Sequence, residues 1–179
     1  AGQGVQAVSY GMGKVFTRHG YYVLIHQDLE SRIRGGHNYA QIRIQDRPVL
    51  SIKDKPDILV ALDAQTIDQD LPDLAEGGVL IFDGETMGRP SESPNHLSVP
   101  LEKLADEVGG GKIMANTVAT GAALASIGVE IEPLLDYLEE QFKGKGSETV
   151  ERNQACASAG FRHVREHFGR SVSQAISLG

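Results

Sequence analysis

Two short runs of unbroken apolar residues constrain the fold of this chain more than any other feature. Residues 57–62 read DILVAL and residues 77–84 read GGVLIFDG. Continuous apolarity over so few residues is typical of a strand covered on both faces, as in a parallel sheet. Segments with helical periodicity alternate with these runs. The pattern predicts an α/β chain with a three-layer, Rossmann-like, open and mostly parallel sheet that carries helices on both faces.

A hairpin is expected at one edge of this sheet. Residues 21–27 (YYVLIHQ) form a compact apolar strand, and residues 39–44 (YAQIRI) alternate apolar and polar side chains. QDRP then marks a turn, and residues 49–52 (VLSI) are predicted to return and pair with 39–44. After the next strand, Asp63 is expected to cap a helix that runs to about Ala75.

Composition and charge restrict the class of protein. The chain has 179 residues, 40% hydrophobic and 23% charged, which is typical of a globular protein; we expect one domain over residues 1–168 and a tail or the start of a linker at 169–179. A net charge of −7 disfavours nucleic acid and anionic membrane surfaces as partners. The single cysteine, Cys156, fits a reducing, cytoplasmic location and cannot supply the cysteine set of an iron–sulfur cluster.

The first residues suggest an anion site. The chain begins AGQG without an initiator methionine, which we interpret as a start inside a glycine-rich turn of a longer polypeptide. Gly2, Gln3 and Gly4 precede a predicted helix, where free N–H groups favour a phosphate or carboxylate. A dinucleotide fingerprint needs a third glycine that is lacking here. A tight turn required for packing is the alternative.

The most unusual stretch is residues 31–37 (SRIRGGH), which we call the glycine-arginine loop. Its paired glycines allow the backbone to approach another chain or a ligand closely. Arg34 offers a forked donor that suits phosphate or carboxylate. A glycine bulge with solvated arginines remains the alternative. The candidate contact residues of the loop are Ser31, Arg34, Gly35, Gly36 and His37.

Other polar residues indicate a functional site less specifically. His163 and His167 fit the H-x-x-E-H pattern of inverted zinc proteases with Glu166 as base, but no third ligand is evident, and histidines near a helix C-terminus are favourable by themselves. Asp57, Asp63 and Asp83 stand at strand ends, where capping explains them equally well. Asn116 is expected to cap a helix of small residues (TVATGAALASI).

Taken together, these stretches resemble the gamma subunit or domain of 2-oxoacid:ferredoxin oxidoreductases. The resemblance runs from Gly2 to about Phe168 through GQGV, GYYVLIHQDLESRIRGGHNYAQIRI, DKPDILVALD, GGVLIFDG and NTVATGAALASIG, in the expected order. Its most specific part is the family pattern S-x-x-x-G-G-H-[SN]. Of the family's N-terminal G-x-G-G-Q-G pattern only the end is present.

This resemblance implies a part in a larger enzyme that decarboxylates a 2-oxoacid on thiamine diphosphate and magnesium, passes electrons through iron–sulfur clusters to ferredoxin, and transfers the acyl group to coenzyme A. The gamma part holds no cofactor of its own. The resemblance also implies alpha, beta and ferredoxin-like partners and a role in assembly and coenzyme A docking. No catalytic base or metal ligand is assigned. Residues implied to face partners or coenzyme A are Gly2, Gln3, Gly4, Ser31, Arg34, Gly35, Gly36, His37 and Asn116.

Two other hypotheses stay open at this stage. One is a free-standing, Rossmann-like nucleotide-binding domain, based on the glycines before the first helix. The other is a zinc hydrolase, based on the H-x-x-E-H pattern. The sequence does not select a 2-oxoacid, because the pyruvate, 2-oxoglutarate, branched-chain and indolepyruvate enzymes share this domain.

Overall fold

The computed structural model describes residues 5–29, 37–88 and 93–169. The strands are β1 (Tyr22–Leu29), β2 (Asn38–Gln45), β3 (Ile58–Val60), β4 (Val79–Phe82) and β5 (His96–Ser98). The helices are α1 (Val5–Arg18), α2 (Ala64–Asp70), α3 (Leu101–Glu107), α4 (Ala115–Ser126), α5 (Glu132–Phe142) and α6 (Ser147–His167). Within these described ranges no helix is both long and apolar enough to cross a bilayer.

The predicted buried strands form a parallel sheet in the order β3-β4-β5. Side chains of β4 alternate between two cores, as a strand with both faces covered requires. Val79 and Ile81 lie in the large core with α4, whereas Leu80 and Phe82 pack in a second core with Ile67 of α2. Helices therefore cover both faces of this sheet, and the predicted three-layer α/β fold is confirmed.

An antiparallel pair of strands is present, as predicted, but the predicted pairing of residues 39–44 with 49–52 is wrong. Instead, β1 pairs antiparallel with β2 over its whole length, from Tyr22 opposite Gln45 to Leu29 opposite Asn38, in a two-stranded sheet of its own. Residues 49–52 form no strand. Arg43 of β2 donates from Nη1 to the carbonyl oxygen of Ser51 at 2.8 Å, so a side chain provides the contact that a backbone ladder was expected to make.

Helices α4 and α6 pack at unusually short range through glycines. A methyl group on Gly121 of α4 would lie 1.9 Å from the carbonyl oxygen of Ala157, and one on Gly160 of α6 would lie 2.0 Å from that of Val118. Residues 118–126 of α4 are buried on every side. A helix that is apolar all round belongs in the interior, and α4 is the central helix of the large core.

The predicted cap of α2 is confirmed, although the helix is shorter than expected. The Asp63 carboxylate accepts from the backbone N–H of Thr66 at 2.8 Å. The α-helix ends at Asp70, and a 3₁₀ turn continues to Asp73. Pro72 lacks an N–H group and its ring opposes further α-helix, which accounts for the early end.

Candidate functional site

A cleft of about 180 Å³ opens where β3 and β4 end. Its walls come from the residues after those two strands and from the beginnings of α3 and α4. The carboxyl ends of parallel strands are where open α/β sheets bind ligands. Its polar and rim positions include Asp83, Thr86, Lys112, Ile113 and Asn116.

Asp83 is a structural residue of this cleft. It is 2% exposed. One carboxylate oxygen accepts from the backbone N–H groups of Glu85 and Thr86 at 3.0 and 3.3 Å, and the other accepts from that of Glu102 at 3.1 Å. The side chain thus joins the end of β4 to the beginning of α3. The capping interpretation of this aspartate is the one that the geometry favours.

Asn116 lies on the cleft wall, but the prediction that it caps α4 is wrong. The helix begins at Ala115, and Met114 occupies the cap position without a side-chain bond. The Oδ1 atom of Asn116 accepts from the backbone N–H of Thr117 at 2.8 Å. Within the described part of the chain no protein acceptor faces its amide nitrogen, so a hydrogen-bond donor is available at this wall.

Lys112 and Ile113 belong to the same cleft and were not identified from the sequence. The Nζ atom of Lys112 donates to a carboxylate oxygen of Glu102 at 2.8 Å, and this bond raises the pKa of Lys112. Ile113 is 84% exposed at the rim. The sequence feature that could have pointed to these two residues is the glycine-rich turn before them, where Gly109 and Gly111 have positive φ angles.

His37 is held inside the fold. Its Nε2 atom lies 3.0 Å from a carboxylate oxygen of Asp70 at the end of α2, and its side chain is only 14% exposed. The ring of Tyr39 lies 5.9 Å away at a tilt of 32°. His37 does not line the cleft that contains Asn116. Seven further candidates lie outside the described residues: Gly2, Gln3, Gly4, Ser31, Arg34, Gly35 and Gly36.

The described neighbours of the two glycine-containing segments meet at one end of the molecule. Helix α1 packs along β1, where a methyl group on Gly13 would touch the Cδ1 atom of Ile25. One turn into α1, the Ser9 hydroxyl accepts from Nε2 of Gln27 at 3.1 Å. The first turn of α1 therefore lies beside the end of β1, which leads into the glycine-arginine loop.

The H-x-x-E-H histidines form a stacked pair. The rings of His163 and His167 are 4.2 Å apart and tilted by 20°, and Nδ1 of His167 contacts the carbonyl oxygen of His163 at 2.9 Å. Burial lowers the pKa of His163, with a further decrease from His167. Across residues 5–29, 37–88 and 93–169, no group of three histidine, cysteine or acidic side chains is placed to hold a metal ion.

Cys156 is expected to be inert in the folded protein. It is fully buried in the large core, and burial raises the pKa of its thiol to about 11. At pH 8 the thiolate fraction is then about one in a thousand. Iodoacetamide should label Cys156 far more slowly than glutathione under native conditions, and at a comparable rate in concentrated guanidinium chloride. Rapid labelling of the native chain, followed by mass spectrometry, would contradict this burial.

Comparisons with known proteins give a consistent result. A family model described as "Pyruvate ferredoxin/flavodoxin oxidoreductase" matches residues 1–163. The chain is similar to the ketoisovalerate oxidoreductase subunit VorA of Methanothermobacter thermautotrophicus, with 27% identity over 93% of this chain and 35% of that protein. It is 31% identical to the 2-oxoglutarate synthase subunit KorC of Methanothermobacter marburgensis, over 72% of this chain and 74% of KorC. The chain spans about a third of the length of VorA.

Two solved structures are similar in fold. The gamma subunit of a keto/oxoacid ferredoxin oxidoreductase from Geobacter sulfurreducens superposes with a TM-score of 0.77 and 25% identity, covering 93% of this chain and 94% of that one. The 2-oxoglutarate:ferredoxin oxidoreductase from Magnetococcus marinus, with 2-oxoglutarate, coenzyme A and succinyl-CoA bound, gives a TM-score of 0.88 at 20% identity. That match covers 100% of this chain but 32% of the other, and it shows likeness of fold alone.

Proposed function

Because this chain belongs to the pyruvate ferredoxin/flavodoxin oxidoreductase family, we propose that it is the gamma-type part of a cytoplasmic 2-oxoacid:ferredoxin oxidoreductase. The observation that carries the proposal is the family match over residues 1–163, supported by near-complete mutual coverage with the gamma subunit from Geobacter sulfurreducens. The whole enzyme would convert a 2-oxoacid to the acyl thioester of coenzyme A and reduce ferredoxin. The chain alone is expected to be inactive.

In this proposal, other subunits carry out the redox chemistry. Thiamine diphosphate with magnesium and the iron–sulfur clusters are assigned to alpha, beta and ferredoxin-like partners. Cys156 supports that division, because a lone, fully buried thiol does not fit the four-cysteine ligand set of a cluster. What this chain contributes is a binding surface and a rigid support for it.

The binding surface is proposed to be the glycine-arginine loop together with Gly2, Gln3 and Gly4. Support comes from the bond between Ser9 and Gln27, which brings the described neighbours of these two segments to the same end of the fold. A planar guanidinium such as that of Arg34 binds phosphate oxygens in pairs, and coenzyme A carries several phosphates. Glycines beside it would allow a partner backbone to come close.

The cleft beside β3 and β4 is proposed as a second contact region. Asn116 offers an amide donor there, and Lys112, four residues earlier, carries an ammonium group that is paired with Glu102. Ile113 adds an exposed apolar side chain at the rim. This combination of amide, cation and apolar surface suits either a partner subunit or the amide-containing arm of coenzyme A.

The proposal is tested by changing Arg34 in the enzyme reconstituted with its partner subunits. Arg34→Ala is expected to raise the KM for coenzyme A about tenfold, or to weaken subunit association by a similar factor, because a charge-assisted contact is lost. Steady-state assays with pyruvate, 2-oxoglutarate and ketoisovalerate, together with analytical ultracentrifugation, would measure both.

Arg47→Ala is the matched control. Arg47 is an exposed arginine outside the loop, so its removal changes the net charge equally without touching the proposed surface. Its KM and association constant should match those of the unmodified chain. If Arg34→Ala behaves like Arg47→Ala in both measurements, the assignment of the loop as a contact surface is wrong.

A further inference from the structure

We propose that the cleft beside β3 and β4 receives a polypeptide segment of a partner subunit: an apolar side chain enters the cleft, and a backbone carbonyl next to it accepts a hydrogen bond from Asn116. The inference rests on the function proposed above, and it selects the partner subunit over coenzyme A as the occupant. Three observations carry it, namely the size of the cleft, the charge on its walls and the exposed side chain of Ile113 at its rim.

The cleft is too small to enclose a coenzyme. Its volume is about 180 Å³, whereas pockets that enclose a ligand of drug size measure about 300–1,000 Å³. Leu62, Met87 and Leu101 supply apolar surface to its lining. The flexible thioether of a methionine adapts to apolar groups of different shape. A cavity of this size and lining suits a single apolar side chain.

The charges around the cleft disfavour an anionic ligand. Among the described residues that line it, Lys112 alone carries an ammonium group, and that group already donates to Glu102 at 2.8 Å. The pKa of Lys112 is raised chiefly by this hydrogen bond, and further by the carboxylates of Asp106 and Asp83. Three carboxylates facing one ammonium group leave an excess of negative charge. That excess repels phosphates and favours a basic residue beside the entering apolar side chain.

Asn116 gives the cleft a directional contact. Its Oδ1 atom accepts from the backbone N–H of Thr117 at 2.8 Å, which leaves the amide nitrogen to donate to a ligand. A peptide carbonyl is an acceptor and complements that nitrogen. A phosphate oxygen would accept from it equally well, so the negative charge of the surrounding walls is what selects the neutral carbonyl.

Ile113 is held at the rim by the turn that precedes it. Gly109 and Gly111 have φ angles of 77° and 69°, and a methyl group on Gly110 would lie 2.8 Å from Sδ of Met114. The side chain of Met114 packs against the large core, whereas Ile113 is 84% exposed. An apolar side chain fixed in this way loses little conformational entropy when a partner covers it, which is a property of anchor residues in protein interfaces.

Association of the chain with its partner subunits, measured by analytical ultracentrifugation, tests the inference. Ile113→Asp is expected to weaken association about tenfold, because a charged side chain replaces an apolar contact. Leu50→Asp is the matched control: Leu50 is 93% exposed, lies outside the cleft and undergoes the same change of charge. An association constant for Ile113→Asp equal to that for Leu50→Asp would overturn the inference.

Asn116→Asp tests the directional contact separately. The carboxylate retains the acceptor oxygen for Thr117 but lacks the donor nitrogen, so it would oppose the partner's carbonyl oxygen. Association is expected to weaken about tenfold. The fold should be retained, since an acidic side chain is favourable in the first turn of a helix, and circular dichroism would verify this. Unchanged association of the folded variant would overturn the inference.

Glu102→Gln separates a polypeptide from coenzyme A in the reconstituted enzyme. The substitution removes one carboxylate and releases the ammonium group of Lys112. We expect the KM for coenzyme A to stay unchanged and association to weaken about threefold, because the attraction for a basic residue of the partner decreases. If the phosphates of coenzyme A entered the cleft, the KM would fall instead. A lower KM with unchanged association would therefore overturn the inference.

The outcomes distinguish this inference from the proposed function. If Arg34→Ala impairs the enzyme while Ile113→Asp and Asn116→Asp do not, the proposed function stands and the inference about the cleft fails. If Ile113→Asp and Asn116→Asp weaken the complex while Arg34→Ala behaves like its control, the cleft is the contact and the glycine-arginine loop is not. If the unmodified chain does not associate with the alpha and beta subunits at all, both fail.

Discussion

Gly121→Ala is expected to lower the free energy of unfolding by about 3–5 kcal/mol. The added methyl group would lie 1.9 Å from the carbonyl oxygen of Ala157, well inside van der Waals contact. That oxygen belongs to the backbone of α6 and cannot rotate away as a side chain could. Helices α4 and α6 must therefore separate, and the best-packed interface of the large core opens.

Gly160→Ala tests the same contact from the other helix. Its methyl group would lie 2.0 Å from the carbonyl oxygen of Val118, so a similar loss is expected. Gly144→Ala is the control, because no heavy atom lies within 4 Å of its added methyl group, and a change within about 0.5 kcal/mol is expected. Urea unfolding followed by circular dichroism would measure all three. Equal urea unfolding midpoints for Gly121→Ala and Gly144→Ala would show that α4 and α6 do not approach each other so closely.

Asp83→Ala is expected to cost about 3–4 kcal/mol of unfolding free energy. The substitution leaves three backbone N–H groups, those of Glu85, Thr86 and Glu102, without their acceptor in a site where Asp83 is 2% exposed. Each buried donor that loses its acceptor costs about 1–3 kcal/mol, and water entering the adjacent cleft would recover part of the total. Asp83→Asn keeps one acceptor oxygen and should lose less than Asp83→Ala.

Asp57→Ala serves as the control for Asp83. Asp57 is also an aspartate at a strand end, but its side chain is 60% exposed and, among the described residues, forms an ion pair only with Lys53. Its removal should cost no more than about 1 kcal/mol. Differential scanning calorimetry of the three variants would rank them. If the thermal unfolding midpoint of Asp83→Ala is as high as that of Asp57→Ala, the Asp83 carboxylate does not stabilise the connection between the end of β4 and the beginning of α3.

Several features that depend on neighbouring residues in the sequence were predicted correctly. The apolar runs around β3 and β4 identify buried strands, because neither face of a strand between two helical layers is exposed to solvent and both faces carry apolar side chains. The Asp63 cap was identified because its bond to Thr66 spans a single turn. The predicted cap of α4 at Asn116 was wrong by a small shift along the chain, because Met114 occupies the cap position. The end of a helix depends on the preceding glycine-rich turn as well as on the cap residue itself.

Pairing between distant segments was not predictable in the same way. Residues 21–27 and 49–52 are both apolar enough to pair with β2, and the pattern does not say which one does. In the structure β1 is the strand that pairs with β2; Gln27 of β1 donates to Ser9 of α1, and Arg43 of β2 donates its side chain to Ser51. The cleft was missed for the same reason, because Lys112 and Ile113 are far from Asp83 along the chain and line the same cleft only in the folded protein.

The α/β class, the two buried strands and the family could be inferred from the amino-acid sequence alone, because each follows from local periodicity or from a contiguous motif. The folded structure was needed to identify the hairpin partner, the glycine contact between α4 and α6, the cleft and the bond between His37 and Asp70. These features join residues that are far apart along the chain. Their energies depend on distances that exist only once the core is packed.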